Sequence, residues 1–165
     1  MPRLDLIVIR SPIVNDIVDD PIQISGIAIA FEGTFQTRVR DQNGDILVEQ
    51  FFTAAGGTAW RNFQITLPLD SIPPTTTGTL EVFEFSAEDG SEINKVVVPI
   101  VFGRALVDPY FGFSQYEVKS GDTLSAIAQQ FYGDSGLSDR IFQANRDQLS
   151  NPNVIFPGQF LRIPQ

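Results

Sequence analysis

The chain has 165 residues, 42% of them hydrophobic, and contains no cysteine and no histidine. This excludes a disulfide framework and a thiolate metal site, and it removes the commonest general base and the commonest transition-metal ligand. A formal charge of −9 argues against a nucleic-acid partner, and the acidity is uneven: residues 1–113 hold 15 acidic and 7 basic residues, residues 114–165 hold 5 and 4.

In chain order, "LDLIVI" (Leu4–Ile9) is an apolar run ended by Ser11-Pro12, and "IQISGIAIAF" (Ile22–Phe31) alternates in two stretches that meet at Gly26. "FQTRVRD" sets Phe35, Thr37 and Val39 against Gln36, Arg38 and Arg40, which predicts a half-buried strand with a wet face. Asn43-Gly44 marks a hairpin, and "ILVEQFF" (Ile46–Phe52) is its return strand. "WRNFQITLPL" supplies another strand through Trp60, Phe63, Ile65 and Leu67. A second hairpin rises through Leu80, Val82, Phe83 and Phe85 to a turn at Glu88-Asp89-Gly90 and returns over Val96–Phe102. Roughly seven short strands without a helical period argue for an antiparallel immunoglobulin-type β-sandwich. Its core is expected to rest on Phe, Ile, Val and Trp60, with Phe85, Val98 and Phe102 inside.

Residues 104–114, "RALVDPYFGFS", hold three apolar and three aromatic side chains. A flexible linker is polar and Ser/Gly-rich, so this one is expected to pack against its neighbours. The expected domains are therefore 1–103 and 115–165, joined by an apolar linker, 104–114. In the second, "YEV" (Tyr116–Val118) is a short strand, and Leu124, Ile127, Ala128 and Phe131 fall on one helix face. Asp122 or Thr123 sits at its N-cap and Gly133 at its end. A second helix, "SDRIFQANRDQL", is expected to start with Ser138 as its cap, and "FLRI" (Phe160–Ile163) is the closing strand. The fold class is thus an all-β sandwich followed by a small α+β (βααβ) unit.

"YEVKSGDTLSAIAQQFYGD" followed by "IFQAN", "NPN" and "PGQFLRIP" closely resembles a LysM domain over Tyr116–Pro164. The resemblance implies a βααβ module that binds N-acetylglucosamine polymers, in peptidoglycan or as chitin oligomers. Its groove would lie between Gly121, Asp122, Thr123 and Leu124 on one side and Asn151, Pro152, Asn153, Val154, Ile155 and Phe156 on the other. Such a groove suits an N-acetyl group, which needs an amide donor, an acceptor and a small apolar wall. Asp122 also reads as a helix cap, Ile155 as core, Asn145 as a buried anchor for backbone, and Gly158 as a turn residue. The first part, through "FEG", "DQNGD" and "SAEDGSE", is similar to the immunoglobulin-like domain of bacterial spore-germination proteins over about Leu6–Phe102. That resemblance implies an adaptor with possible protein partners and brings no functional residue with it.

Catalysis is not expected. A glycan hydrolase needs two carboxylates flanking a cleft, and a serine triad lacks its histidine. Asp41, Asn43 and Asp45 alternate as in a Ca²⁺ loop, but Gly44 stands where a hairpin needs it; Asp16, Asp19 and Asp20 are a weaker case. No metal and no cofactor is expected. No apolar run reaches about 18 residues, so no membrane span is expected. The start does not read as a signal peptide, which leaves the cytoplasm as the sequence is written, or the cell envelope if a leader was removed. Three functions remain. One is a cell-wall glycan binder with the sandwich as adaptor. Another is a cytoplasmic K⁺-binding or K⁺-sensing protein, because the LysM half is also similar to that of the bacterial potassium-binding BON–LysM proteins. The third is a structural part of a phage-tail-like assembly without sugar binding.

Overall fold

The computed structural model describes residues 6–29, 33–53 and 57–165. The expected strand start at Leu4 and the strand end at Phe31 lie outside them. Eight strands fill the first part: β1 (Ile7–Ser11), β2 (Asp16–Val18), β3 (Ile22–Ala28), β4 (Thr34–Asp41), β5 (Ile46–Thr53), β6 (Arg61–Leu67), β7 (Thr77–Phe85) and β8 (Glu92–Phe102). They form a three-stranded sheet, β1-β3-β6, and a five-stranded sheet, β2-β8-β7-β4-β5. The strand missing from the sequence reading is β2. Pro12 has no N–H to continue the β1 ladder, and the chain then crosses to the other sheet, where β2 runs parallel to β8. This is the one departure from antiparallel pairing among the described strands.

Alternation decides what is buried. Ile22, Ile24 and Ala28 of β3, Phe63, Ile65 and Leu67 of β6, Phe35 and Val39 of β4, Leu80 and Val82 of β7, and Val98, Ile100 and Phe102 of β8 meet in one hydrophobic cluster fed by both sheets. Each such aliphatic or aromatic side chain contributes about 2 kcal/mol on burial. Two expected core residues are not in it. Phe85 is 53% exposed at the end of β7, where the strand has outrun the core, and Trp60 is 42% exposed just ahead of β6.

The supposed wet face of β4 also needs correction. Arg38 is only 6% exposed. Its guanidinium donates to Glu49, to Glu81 at 3.1 Å and to Glu92 at 2.9 Å, while Arg40 and Lys95 also meet Glu81. Beneath it lies Phe83, fully buried, with the Arg38 guanidinium 4.6 Å from the ring centroid. Neighbouring strands supply opposite charges at the same level, so the charges shield one another from water instead of facing it singly.

The connecting segment packs in part, through Leu106 and Tyr110. A short helix, α1 (Gly103–Leu106), puts Leu106 against Val101 of β8 and Ala144 of the second part, with Ile17 and Val107 alongside. Tyr110, 9% exposed, lies on Gly103, where a β-carbon would meet its ring at 2.5 Å. Arg104 bonds Asp20 at 2.7 Å and Asp108 at 3.0 Å. Phe111, however, is 82% exposed.

The second part runs β9 (Phe113–Glu117), α2 (Leu124–Tyr132), a 3₁₀ turn over Ser135–Leu137, α3 (Ser138–Ala144) and β10 (Phe160–Pro164). β9 and β10 pair antiparallel, with Tyr116 opposite Leu161. Val118, Leu124, Ile127, Ala128, Ile141, Phe142, Leu149, Leu161 and Ile163 form its own core. Gly133 ends α2 at φ +73°, and Gly158 turns the chain at φ +85°, conformations in which a β-carbon would be strained. Ser138 is not a cap. The 3₁₀ turn runs straight into α3, and Asp134 caps that turn by accepting from the Gly136 N–H at 2.8 Å. The helix also stops at Ala144, earlier than its sequence pattern suggests, because Asn145 closes it.

Candidate functional site

A cleft of about 270 Å³ opens between the loop ahead of α2 and the loop ahead of β10. It is lined by Asp122, Thr123, Leu124, Ser125, Ser138, Pro152, Asn153 and Ile155. Thr123 is the N-cap of α2, its hydroxyl accepting from the Ala126 N–H at 3.1 Å. The first-turn N–H groups ahead of Ala126 have no carbonyl four residues back within the helix. Gly121, at φ +90°, lets the preceding loop turn sharply into this cap.

Asp122 does something other than cap. One carboxylate oxygen accepts from the Lys119 N–H and from the Tyr116 hydroxyl, both at 2.8 Å. These bonds fasten the loop to β9 and hold the Asp122 carboxyl below its ordinary range, first through the Lys119 N–H and then through Tyr116. The same bond pushes the Tyr116 phenol up. The second carboxylate oxygen has no hydrogen-bond partner among the described residues.

The opposite lip is a fixed turn. Asn151 accepts the Asn153 N–H through its side chain at 2.9 Å, and the Val154 N–H donates to its carbonyl at 3.2 Å. Pro152 stiffens the same turn. Ile155 leans inward onto the second core, which leaves Val154 45% and Phe156 64% exposed. So the structure brings Asp122, Thr123, Leu124, Pro152, Asn153 and Ile155 to the cleft, while Gly121, Asn151, Val154 and Phe156 flank it without lining it. The apolar wall is made by Leu124, Pro152 and Ile155, and Val154 and Phe156 are not part of it. Ser125 and Ser138 add two hydroxyls that sequence reasoning missed. Ser125 directly follows the residues chosen from the first loop, and Ser138 was assigned to capping instead.

Asp41 shows what "DQNGD" does. It is 3% exposed, and one carboxylate oxygen accepts from the Asn43 and Asp45 N–H groups at 2.9 Å each, with Gly44 at φ +92°. The carboxylate is used by the hairpin turn. Among the described residues no group of three or more His, Cys, Asp or Glu side chains is arranged to hold a metal ion, and no helix is long and apolar enough to cross a membrane.

The chain thus has two parts: an all-β part with two sheets around one core, followed by a βααβ unit with a cleft between its loops. The profile of the immunoglobulin-like domain of bacterial spore germination matches residues 6–91, and that of the LysM domain matches residues 116–164. The chain belongs to the family of that immunoglobulin-like domain and carries a LysM domain after it. Both are non-catalytic binding domains, and glycan binding is the general property of the second. The chain is 43% identical over 86 residues to the potassium binding protein Kbp of Escherichia coli, covering 48% of this chain and 58% of that protein. It is 46% identical over 52 residues to the secreted LysM effector ELP2 of Colletotrichum higginsianum, covering 32% and 27%. It is 44% identical over 61 residues to an esterase of Mycobacterium tuberculosis, covering 37% and only 12%. The matches thus span less than two-thirds of each of these relatives.

Proposed function

We propose that this protein binds N-acetylglucosamine-containing glycan, peptidoglycan in the first instance, in the cleft between Asp122–Ser125 and Pro152–Ile155. The β-rich part, 1–103, acts as a sandwich adaptor for protein partners, 104–114 as a packed linker, and 115–165 as the glycan-binding domain. The observation that carries the reading is the chemistry of the cleft. Helix N–H groups and the Asn153 amide offer donors, and the unpartnered oxygen of Asp122 accepts. Leu124, Pro152 and Ile155 give an apolar wall for an acetamide methyl. Ser125 and Ser138 are then placed for ring hydroxyls. The chain itself performs no chemistry on the sugar.

Titration with chitotetraose, followed by amide NMR, tests this. Shifts at Thr123, Leu124, Ser125, Asn153 and Ile155 at millimolar sugar are expected. Their absence at that concentration overturns the assignment.

A second reading, potassium binding, is favoured by the similarity to Kbp. It requires a melting temperature that rises with K⁺ and not with Na⁺ at equal ionic strength.

A further inference from the structure

A second cleft, of about 310 Å³, lies where the two parts meet. Its first-part wall comes from the hairpin turn after β4 and from β7, β8 and the segment before β2. The second part contributes Arg146, just beyond α3. It is separate from the glycan cleft: α3 starts at Ser138 in that cleft and ends at Ala144 in the junction, about 9 Å further along the helix.

The polar groups here have capacity to spare. Among the described basic side chains, Arg38, Arg40, Lys95, Arg104 and Arg162 are tied to carboxylates, whereas Arg10, Arg61, Lys119 and Arg140 form no such pair among the described residues. Arg146 has no carboxylate within salt-bridge distance among the described residues, and its guanidinium rests 5.0 Å from the centroid of the Phe142 ring. Asn15 uses its backbone N–H on the Pro99 carbonyl at 2.8 Å, and its side-chain amide has no partner among the described residues. Gln42 accepts from Thr77 through its carbonyl oxygen, which leaves its NH₂ free to donate. Thr79 presents a half-buried hydroxyl. The one acid in the lining is Asp41, whose carboxylate is already held by the turn N–H groups.

We propose that this junction cleft binds a sugar acid, a hexose-sized molecule with one carboxylate. Arg146 takes the carboxylate through its planar fork, and Asn15, Gln42 and Thr79 meet the hydroxyls. The guanidinium disfavours a metal cation in the same space, and a single guanidinium among neutral donors favours one carboxylate over a multiply charged phosphate. Because the walls come from both parts, the ligand bridges them.

The test uses the full chain, with D-glucuronate as probe and D-glucose as its uncharged control; neither carries an acetamide, so the outcome is independent of the glycan cleft. At millimolar glucuronate, amide shifts are expected at Gly78, Thr79 and Arg146, with a raised melting temperature, and both effects should weaken as salt is added. D-Glucose should bind about tenfold or more weakly, and Arg146→Gln should lose about as much, since a charge-assisted hydrogen bond is removed. Arg146 is exposed, so that variant keeps the fold; Thr79→Val is a second probe that keeps the charge and should lose a smaller factor. The inference is overturned by equal binding of glucose, by unchanged affinity in Arg146→Gln, or by shifts confined to Asp122–Ile155.

Discussion

Asn145 and Arg162 clasp each other through backbone and side chain. The Asn145 side-chain NH₂ donates to the Arg162 carbonyl at 2.8 Å, and its side-chain oxygen accepts from the Arg162 N–H at 2.8 Å. The same NH₂ donates to the Ile141 carbonyl at 2.7 Å, and the oxygen also accepts from Gln148. One fully buried amide thus ends α3 and docks β10 on it, beside the loop that carries Pro152, Asn153 and Ile155. Asn145→Ala leaves both Arg162 backbone groups without this partner and is expected to destabilise the second part by about 3 kcal/mol. Urea denaturation measures the loss, and amide exchange should speed up first at Leu161–Ile163.

The junction rests on a missing side chain. A β-carbon on Gly103 would sit 2.5 Å from the Tyr110 ring. Gly103→Ala is therefore expected to push Tyr110 out of its seat and destabilise the junction by about 1–3 kcal/mol. Calorimetry of Gly103→Ala, Tyr110→Ala and the double variant checks it. The two losses should be strongly non-additive, because truncating Tyr110 removes the clash.

Much of this was legible in the residues, for physical reasons that also explain the gaps. Period-2 alternation located β3, β4 and β6, the turn at Glu88-Asp89-Gly90 located β7, and the helical spacing of Leu124, Ile127 and Ala128 located α2, because burial on one face writes itself into the sequence. Strand β2 escaped because three residues are too few for a period, and Asp16 drew notice only as a weak metal-ligand candidate. Alternation also cannot say how far a core extends, so Phe85 and Trp60 were placed inside and lie at its margin. Arg38 was read as wet because a single strand does not show that Glu49, Glu81 and Glu92 come from three neighbouring strands. In the cleft between Asp122 and Ile155, position along the loops was readable, but side-chain direction was not: Ile155 turned in and Val154 and Phe156 out, and Ser138 entered from a third element.

The Arg38 network has a buried centre, Arg38 and Glu81, and a partly exposed rim. Arg38→Met keeps the bulk over Phe83 but removes the ion-pair partner of Glu49 and one partner of the buried Glu81, and leaves Glu92 with Lys95 alone; the network holds the Glu49 carboxyl below its ordinary range mainly through Arg38, and the Glu92 carboxyl mainly through Lys95 and then Arg38. A loss of about 1–3 kcal/mol is expected, since the carboxylates left behind are partly exposed or keep another cation. The half-exposed Arg104, though it bonds Asp20 and Asp108, should lose under about 1 kcal/mol on the same substitution. Chemical denaturation of the two variants side by side makes the comparison, and equal losses would show that burial of Arg38 does not matter.

The Tyr116–Asp122 bond predicts a pH window for the loop ahead of α2. The Asp122 carboxyl is lowered in the folded state, so its contribution is fully present above the ordinary aspartate range and is lost as pH falls through the folded value. The Tyr116 phenol is raised, so its contribution is present below the ordinary tyrosine range and is lost as pH rises through its folded value, when the donor proton is gone. Amide signals of Lys119 and Thr123 should therefore hold steady from mildly acidic to mildly alkaline pH and move at both extremes. In Tyr116→Phe the alkaline transition should vanish while the acidic one remains, because the Lys119 N–H still holds the carboxylate. An alkaline transition that survives in Tyr116→Phe would assign it to another group and sink the clasp as its cause.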